Sequence, residues 1–295
     1  MHCKKAIVLI LASLTASAEP TTRSPRFSGA SALEFTRQAV AFGPRPVDSA
    51  AHKKLQAYIL LKLKTFGCPV EQDTFTAQTP IGAKPMNNII AKIPGQSKQI
   101  VVLTGHYDTK LMTNRVFVGA NDAGSSTGFL LEMARVLCNK PAKNDILLVW
   151  LDGEEAMENW APNDSLYGSR HLSARWKEDG TLGRVKAVIN LDMIGDVDLA
   201  VVHEWNSTPW LRKLVWDTAA GLGYSRHFST LDGAIEDDHI PFLRAGAPAL
   251  DLIDFEYGPQ NSWWHTEQDT VDKLSPQSFQ VIGNVLLKVL SKLEN

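Results

Sequence analysis

Histidines and carboxylates recur in this chain where hydrophobic runs end. Thr104-Gly-His-Tyr-Asp108 follows one apolar run, Gly119-Ala-Asn-Asp122 precedes a helical pattern, and Asp152-Gly-Glu-Glu155 follows Ile146-Leu-Leu-Val-Trp-Leu151. Asp192 closes another run, and Trp264-His265 lies in a late loop. Each is ambiguous alone: His106 also reads as a buried, hydrogen-bonded histidine, Asp122 as a helix N-cap and Asp192 as a turn residue. Taken together they pose an electrostatic problem, because carboxylates crowded at the edge of a core repel and lose hydration unless a cation compensates them. Imidazole nitrogen and carboxylate oxygen without cysteine suit zinc with an open fourth position, the arrangement of catalytic sites. In such a site one of Glu154 and Glu155 binds the ion and its neighbour moves protons, while Glu158 reads as solvated surface.

Elements of a particular kind must bring these residues together. Helical periodicity covers about 31–42 and 48–66, strand patterns cover 68–75, 88–93 and 99–104, and a helix is expected over 123–138. Strand 146–151, helix 168–176, strand 185–191, a short strand near 199–203, helix 208–220 and strand 249–253 follow. Ser275-Pro276 caps a last helix with Phe279, Ile282, Leu286, Val289 and Leu293 on one face. This alternation implies a single α/β domain with a mixed, mostly parallel central sheet flanked by helices. In such sheets ligands bind beyond the carboxyl ends of the strands, where the chemistry-bearing residues cluster here. The stretches 159–166, 228–244 and 254–273 read as long irregular loops that build a site.

Composition narrows the class. The 295 residues are 44% hydrophobic and 21% charged with a formal charge of -2, and no basic run offers a footprint for nucleic acid. Residues 1–18 combine Lys4 and Lys5, an apolar stretch and Ala16-Ser-Ala18, the pattern of a cleaved signal peptide and so of a secreted or periplasmic protein. A linker over 19–29 and a catalytic domain over 30–295 follow, with no later segment of membrane-spanning length. Cys3 leaves with the signal; Cys68 and Cys138 either pair or remain thiols. Gly124-Ser-Ser-Thr-Gly128 matches the nucleophile elbow of serine hydrolases, but no good strand precedes it, and small residues there equally let a helix start pack close to a metal ligand.

At Gly105-His-Tyr-Asp-Thr-Lys110, Asn114 to Ala120, Asp152-Gly-Glu-Glu-Ala156, Asp164-Ser-Leu-Tyr-Gly-Ser-Arg-His-Leu172, Asp237-Asp-His-Ile-Pro-Phe242 and Trp264-His-Thr266, the chain resembles the zinc exopeptidase superfamily and, more narrowly, the glutaminyl-peptide cyclotransferases. The segment from Asp73 to Ile90 is also similar. The resemblance implies one zinc on Asp122, Glu155 and His265, with Glu154 transferring protons. It also implies a relay through Asp192 and Asp237, and a pocket lined by Trp160 and Trp264. The implied activity is cyclisation of the N-terminal glutamine of peptides or proteins to pyroglutamate with release of ammonia, and a monomer is favoured. The chain departs from the animal enzymes at Gly105, where they carry a cysteine of a disulfide beside the metal, and over Phe255 to Trp263, where Phe255 is one possible cover for the substrate. A rival reading is a two-zinc aminopeptidase, in which His106 and Asp192 hold a second ion, Asp122 bridges and Glu154 activates water. A binding module without catalysis would lack a ligand or the acid/base residue, and neither is missing.

Overall fold

Alternation inside short apolar runs sets the centre of the molecule. In a computed structural model, which describes residues 26–294, the elements follow in the order α1 Gly29–Val40, α2 Ala50–Thr65, β1 Val70–Thr79, β2 Gly82–Ile93, β3 Ile100–His106, α3 Gly124–Leu137, β4 Asp145–Leu151 and α4 Tyr167–Glu178. Next come β5 Val185–Asp192, β6 Val201–Glu204, α5 Pro209–Gly221, β7 Phe228–Gly233, α6 His239–Ala245, β8 Ala249–Ile253 and α7 Pro276–Leu293. The central sheet has six strands in the order β1-β2-β4-β3-β5-β8, and β6 and β7 form a separate parallel pair. β4, β3, β5 and β8 run parallel, with Leu103 opposite both Leu148 and Ile189, while β2 joins antiparallel to β4 and β1 antiparallel to β2.

Both faces of this sheet are covered, which is why its strands read as continuous apolar runs. Val101, Leu103, Leu148, Trp150 and Ile189 pack on one face against side chains of α1, α2, α3, α5 and α7. Ile100, Val102, Leu147, Val149 and Val188 pack on the other against Leu172 and Trp176 of α4 and Phe242 of α6. Burying one such side chain contributes about 1.5–3 kcal/mol, so Leu103→Ala would cost about 2–5 kcal/mol once the cavity is counted.

The serine-rich run belongs to this packing. It forms the first turns of α3, and a Cβ on Gly128 would lie 2.6 Å from the Ala32 carbonyl of α1, so only glycine permits the approach. Ser125 and Ser126 are fully buried and spend their hydroxyls on the carbonyls of Asn121 and His106. No nucleophile elbow is formed. At the other end of α3, Cys138 is joined to Cys68 by a disulfide, with Cα atoms 5.2 Å apart, which settles the open question of their pairing.

Two expectations are corrected. β1 and β2 extend to Thr79 and back to Gly82, well beyond the alternation visible in sequence. Pro85 lies where β2 has only one neighbouring strand, so a missing N–H is tolerated. The stretch 228–244 is not irregular: it contains β7 and most of α6, whose Pro241 sits in the first turn, where no helical partner for its nitrogen is needed. The expected signal peptide and residues 19–25 of the expected linker lie outside the described residues, but Phe27 is buried against Phe129 and Ser28 Oγ caps α1 by accepting from Ser31 N, so the last residues of that segment are packed. Among the described residues no helix is long and apolar enough to cross a membrane.

Candidate active site

Because β3, β4, β5 and β8 run parallel, their carboxyl ends share one edge. His106 ends β3, Asp152 to Glu155 follow β4, Asp192 ends β5, and the chain after β8 returns with Trp264 and His265. Asp122 arrives from the loop before α3, where Gly119 adopts φ +51° and the Asp122–Ala123 peptide is cis. His265 Nε2 lies 3.0 Å from Glu155 Oε1 and 3.1 Å from Asp122 Oδ2. On the opposite side of Asp122, His106 Nε2 lies 3.2 Å from Asp122 Oδ1 and 3.3 Å from Asp192 Oδ1. Two groups, Asp122–Glu155–His265 and His106–Asp122–Asp192, therefore each present three donor atoms within 4.8 Å of one another, sharing Asp122.

The electrostatics of the bare polypeptide call for a cation here. Burial works to lower His265, yet Glu155 and Asp122 hold it at about 10. Burial opposes protonation of His106 as well, but the carboxylates of Asp108, Asp122 and Asp192, at 3.6, 3.2 and 3.3 Å from its ring nitrogens, keep it well above the usual imidazole range. Asp192 is raised to about 7, mainly by burial, with Asp237 and Asp122 adding to it against His106. Burial raises Glu154 well above the usual carboxylate range; His106 opposes this, and Glu155, Asp237 and Asp238 add to it. The carboxylate excess that draws protons onto histidines is what a divalent ion neutralises, so the donor set fits zinc chemically and electrostatically.

Carboxylates that sequence reasoning passed over hold these loops in place. Asp108 accepts the amides of Gly153, Glu154 and Glu155 at 3.0, 3.1 and 3.3 Å, fixing the turn that carries both glutamates. Asp269 accepts the amides of Asn121 and Asp122 at 2.8 and 3.2 Å and the Tyr257 hydroxyl at 2.8 Å. Asp164 takes the amides of Met157, Glu158 and Asn159 and the Tyr167 hydroxyl. Asp152 is equally structural, bonded to His52, Tyr107 and the Asn87 amide. Asp108, Asp152 and Asp164 fall within the runs quoted above, Asp152 among the clustered carboxylates, though it turns away from the donor groups toward His52 and Tyr107; nothing local marks Asp269.

A cleft of about 430 Å³ opens over the centre. Trp160, Ile235, Ile253, Phe255 and Trp264 supply apolar wall, while Asp122, Glu154, Glu155, Asp192, Asp237 and His265 supply the polar side. Trp160 and Trp264 are 42% and 37% exposed, and thus reachable by a solute. Trp264 stacks on His265 at 4.1 Å and meets Phe255 edge-on at 5.0 Å. Asp237 is buried, and its Oδ2 has no hydrogen-bond partner. Lys110 Nζ lies 3.6 Å from Glu155 Oε2 and donates to the Ala156 carbonyl. Glu158 is exposed, as expected, but it too lines this cleft rather than remote surface. A Cβ at Gly105 would meet Ser126 Cβ at 2.6 Å and the Leu191 carbonyl at 2.9 Å, so with these neighbours the position admits no larger residue.

The profile of peptidase family M28 matches residues 88–290. A glutaminyl-peptide cyclotransferase from Drosophila melanogaster is 34% identical over 252 residues, covering 77% of this chain and 70% of its own length. The solved glutaminyl cyclase of an Acidobacteriales bacterium superposes with a TM-score of 0.89 at 41% identity, over 95% of this chain and 99% of that one. A Bacteroides thetaiotaomicron structure described as a leucine aminopeptidase precursor also superposes, with a TM-score of 0.81 at 27% identity over 91% of this chain and 98% of that one, so the fold alone does not distinguish the two activities. Membership rests on the curated relative and on the profile together: the chain belongs to peptidase family M28 and, within it, to the glutaminyl-peptide cyclotransferases.

Proposed function

We propose that this enzyme converts the N-terminal glutamine of peptides or proteins to pyroglutamate, releasing ammonia, with one zinc ion held by Asp122, Glu155 and His265. The observation that carries the reading is the meeting of those three donors beside a buried glutamate, Glu154, in a cleft walled by tryptophan. When bound, the ion supplies Lewis acidity for the γ-carboxamide. The rest is the work of side chains. The substrate's α-amine attacks its own γ-carboxamide carbon, the new C–N bond closes a five-membered ring, and the C–N bond to the amide nitrogen breaks.

Glu154 takes the proton that the α-amine loses and returns it to the leaving nitrogen, which departs as ammonia. A carboxylate raised by burial and neighbouring charge suits a two-way proton transfer. Asp192 and Asp237, buried in the same cleft, serve in this reading as the relay beside Glu154, and Asp237 adds to the charge that keeps Glu154 raised. Because nucleophile and electrophile sit on one molecule, orientation is the main demand, and Trp160 and Trp264 meet it by holding the glutamine side chain.

The second donor group, His106–Asp122–Asp192, supports the rival two-zinc aminopeptidase. One experiment separates them: a glutamine-initiated dipeptide and a leucine anilide are offered to the purified enzyme and zinc per chain is counted. Ammonia without anilide cleavage, at one zinc, supports the cyclase; anilide hydrolysis at two zinc ions establishes the peptidase. Export is proposed on the basic and apolar start of the chain and on the disulfide, which persists in oxidising compartments. An N-terminus of the exported protein at Glu19 would bear this out, and a retained Met1 would refute it.

A further inference from the structure

The connection between α1 and α2 carries a fully buried arginine that the proposed reaction does not use. Arg45 spends its guanidinium on backbone carbonyls: Nη1 donates to Gly43 O at 2.9 Å and Val118 O at 2.7 Å, and Nη2 donates to Gly119 O at 3.0 Å. Its own backbone is tied to the loop after His106, with Arg45 N donating to Thr109 Oγ1 at 2.8 Å and Thr109 N donating to Arg45 O at 3.1 Å. One residue thus ties two points of the connection from β3 to α3, its backbone holding Thr109 and its side chain holding Val118 and Gly119 just ahead of Asp122.

The bonding around Asp122 is divided by polarity. Carbonyls of Val118 and Gly119 go to the buried cation, whereas amides of Asn121 and Asp122 go to the Asp269 carboxylate and the Ala120 amide to its backbone carbonyl. Burying a guanidinium costs several kcal/mol unless nearby charge compensates it. Asp269, Asp122 and Asp108 are the carboxylates whose charge bears on it. Each of the three either belongs to the donor group or holds one of its loops, so the site that the arginine braces offsets part of the cost of burying it.

We propose that Arg45 is a positioning residue of the metal centre: its guanidinium fork fixes the Val118–Gly119 turn and thereby sets the Asp122 carboxylate against His265 and Glu155. This rests on the reading of Asp122 as a ligand. A lysine keeps the charge but not the fork, and an ammonium cannot reproduce the planar pair of nitrogens facing two successive carbonyls.

The test uses the full mature enzyme, Arg45→Lys and Thr109→Val, the latter removing the hydroxyl that accepts the Arg45 amide. Zinc dissociation constants are measured by chelator competition, together with melting temperatures of zinc-loaded and chelator-stripped protein and activity against added zinc. Arg45→Lys is expected to weaken zinc binding by about 10- to 100-fold, as loss of an outer partner of a metal ligand does. Thr109→Val should weaken it by a smaller factor, the gap between loaded and stripped melting temperatures should narrow, and excess zinc should restore activity to both. Wild-type zinc affinity in the variants, with both melting temperatures lowered equally, would reduce Arg45 to a core residue and overturn the proposal. If Arg45→Lys does not fold, an unchanged zinc constant in Thr109→Val overturns it alone. Failure of the wild type to bind zinc would instead remove the metal reading on which the proposal stands.

Discussion

Two sets of buried carboxylates lie along the same sheet edge and do opposite things. Asp108, Asp164 and Asp269 each accept at least three hydrogen bonds from backbone amides or tyrosine hydroxyls. Asp122 and Asp192 face histidines and one another's charge, Glu154 Oε2 comes no nearer than 4.0 Å to His106, and Asp237 Oδ2 has no hydrogen-bond partner. All seven are buried, so burial does not separate them. What separates them is who occupies their lone pairs: a carboxylate solvated by amides is electrostatically complete and braces a loop, whereas one facing other anions still needs an ion or a proton. Asp269 marks the boundary, since burial and the charge of Asp122 lift it to about 7 despite its amide bonds.

Breaking the second set should have the larger effect. Glu154→Gln is expected to lower kcat by about 10²- to 10⁴-fold, the worth of a general acid/base, with zinc content unchanged; a metal-free variant would move Glu154 among the ligands. In the bracing set, Asp269→Asn removes the charge and takes the acceptor from one of the two amides beside Asp122, each of which bonds its own carboxylate oxygen, and zinc affinity should fall about 10- to 100-fold by chelator competition; an unchanged constant would show the loop to be rigid without it. Trp264→Ala sharpens the contrast from the cleft side. It should raise KM about five- to tenfold, an aromatic contact's worth of about 1–1.4 kcal/mol, with zinc binding intact, whereas loss of zinc would mean that its stack on His265 positions the ligand.

The smallest effect concerns acid stability. Burial pushes Asp164 up, yet the amides of Glu158, Met157 and Asn159 and the Tyr167 hydroxyl hold it below its ordinary value. A depressed carboxylate stabilises the fold above its unfolded pKa of about 4 and loses that contribution as pH falls through the folded value. Asp164→Asn should therefore melt lower than wild type at neutral pH, with the difference closing below about pH 4. A deficit that persists at low pH would assign the loss to shape rather than charge.

The parallel core and the ligand types were legible from sequence for a common reason. Strands buried on both faces must be apolar throughout, so a His106 or an Asp192 at their ends stands out. The bracing residues were not legible, because whether Asp108 meets three amides, or Asp269 two amides and a tyrosine hydroxyl, depends on how distant loops stack, and an aspartate in a loop reads as solvated in any linear pattern. Pro80, Gly82 and Pro85 hid the length of the hairpin, and the brevity of β7 and α6 hid both. Pairing of Cys68 with Cys138 was undecidable for the same geometric reason: 70 residues separate them in sequence, and 5.2 Å between Cα atoms exists only in the fold.

That covalent tie encircles β1, β2, β3, the Asp122 turn and α3 in one ring of backbone. Closing a loop of this size removes about 4 kcal/mol of freedom from the unfolded chain on the chain-entropy view. Production in a reducing cytosol would forgo that contribution for the very segment that presents Asp122. Preparations from cytosolic and periplasmic hosts should thus differ in heat tolerance until the cytosolic material is air-oxidised.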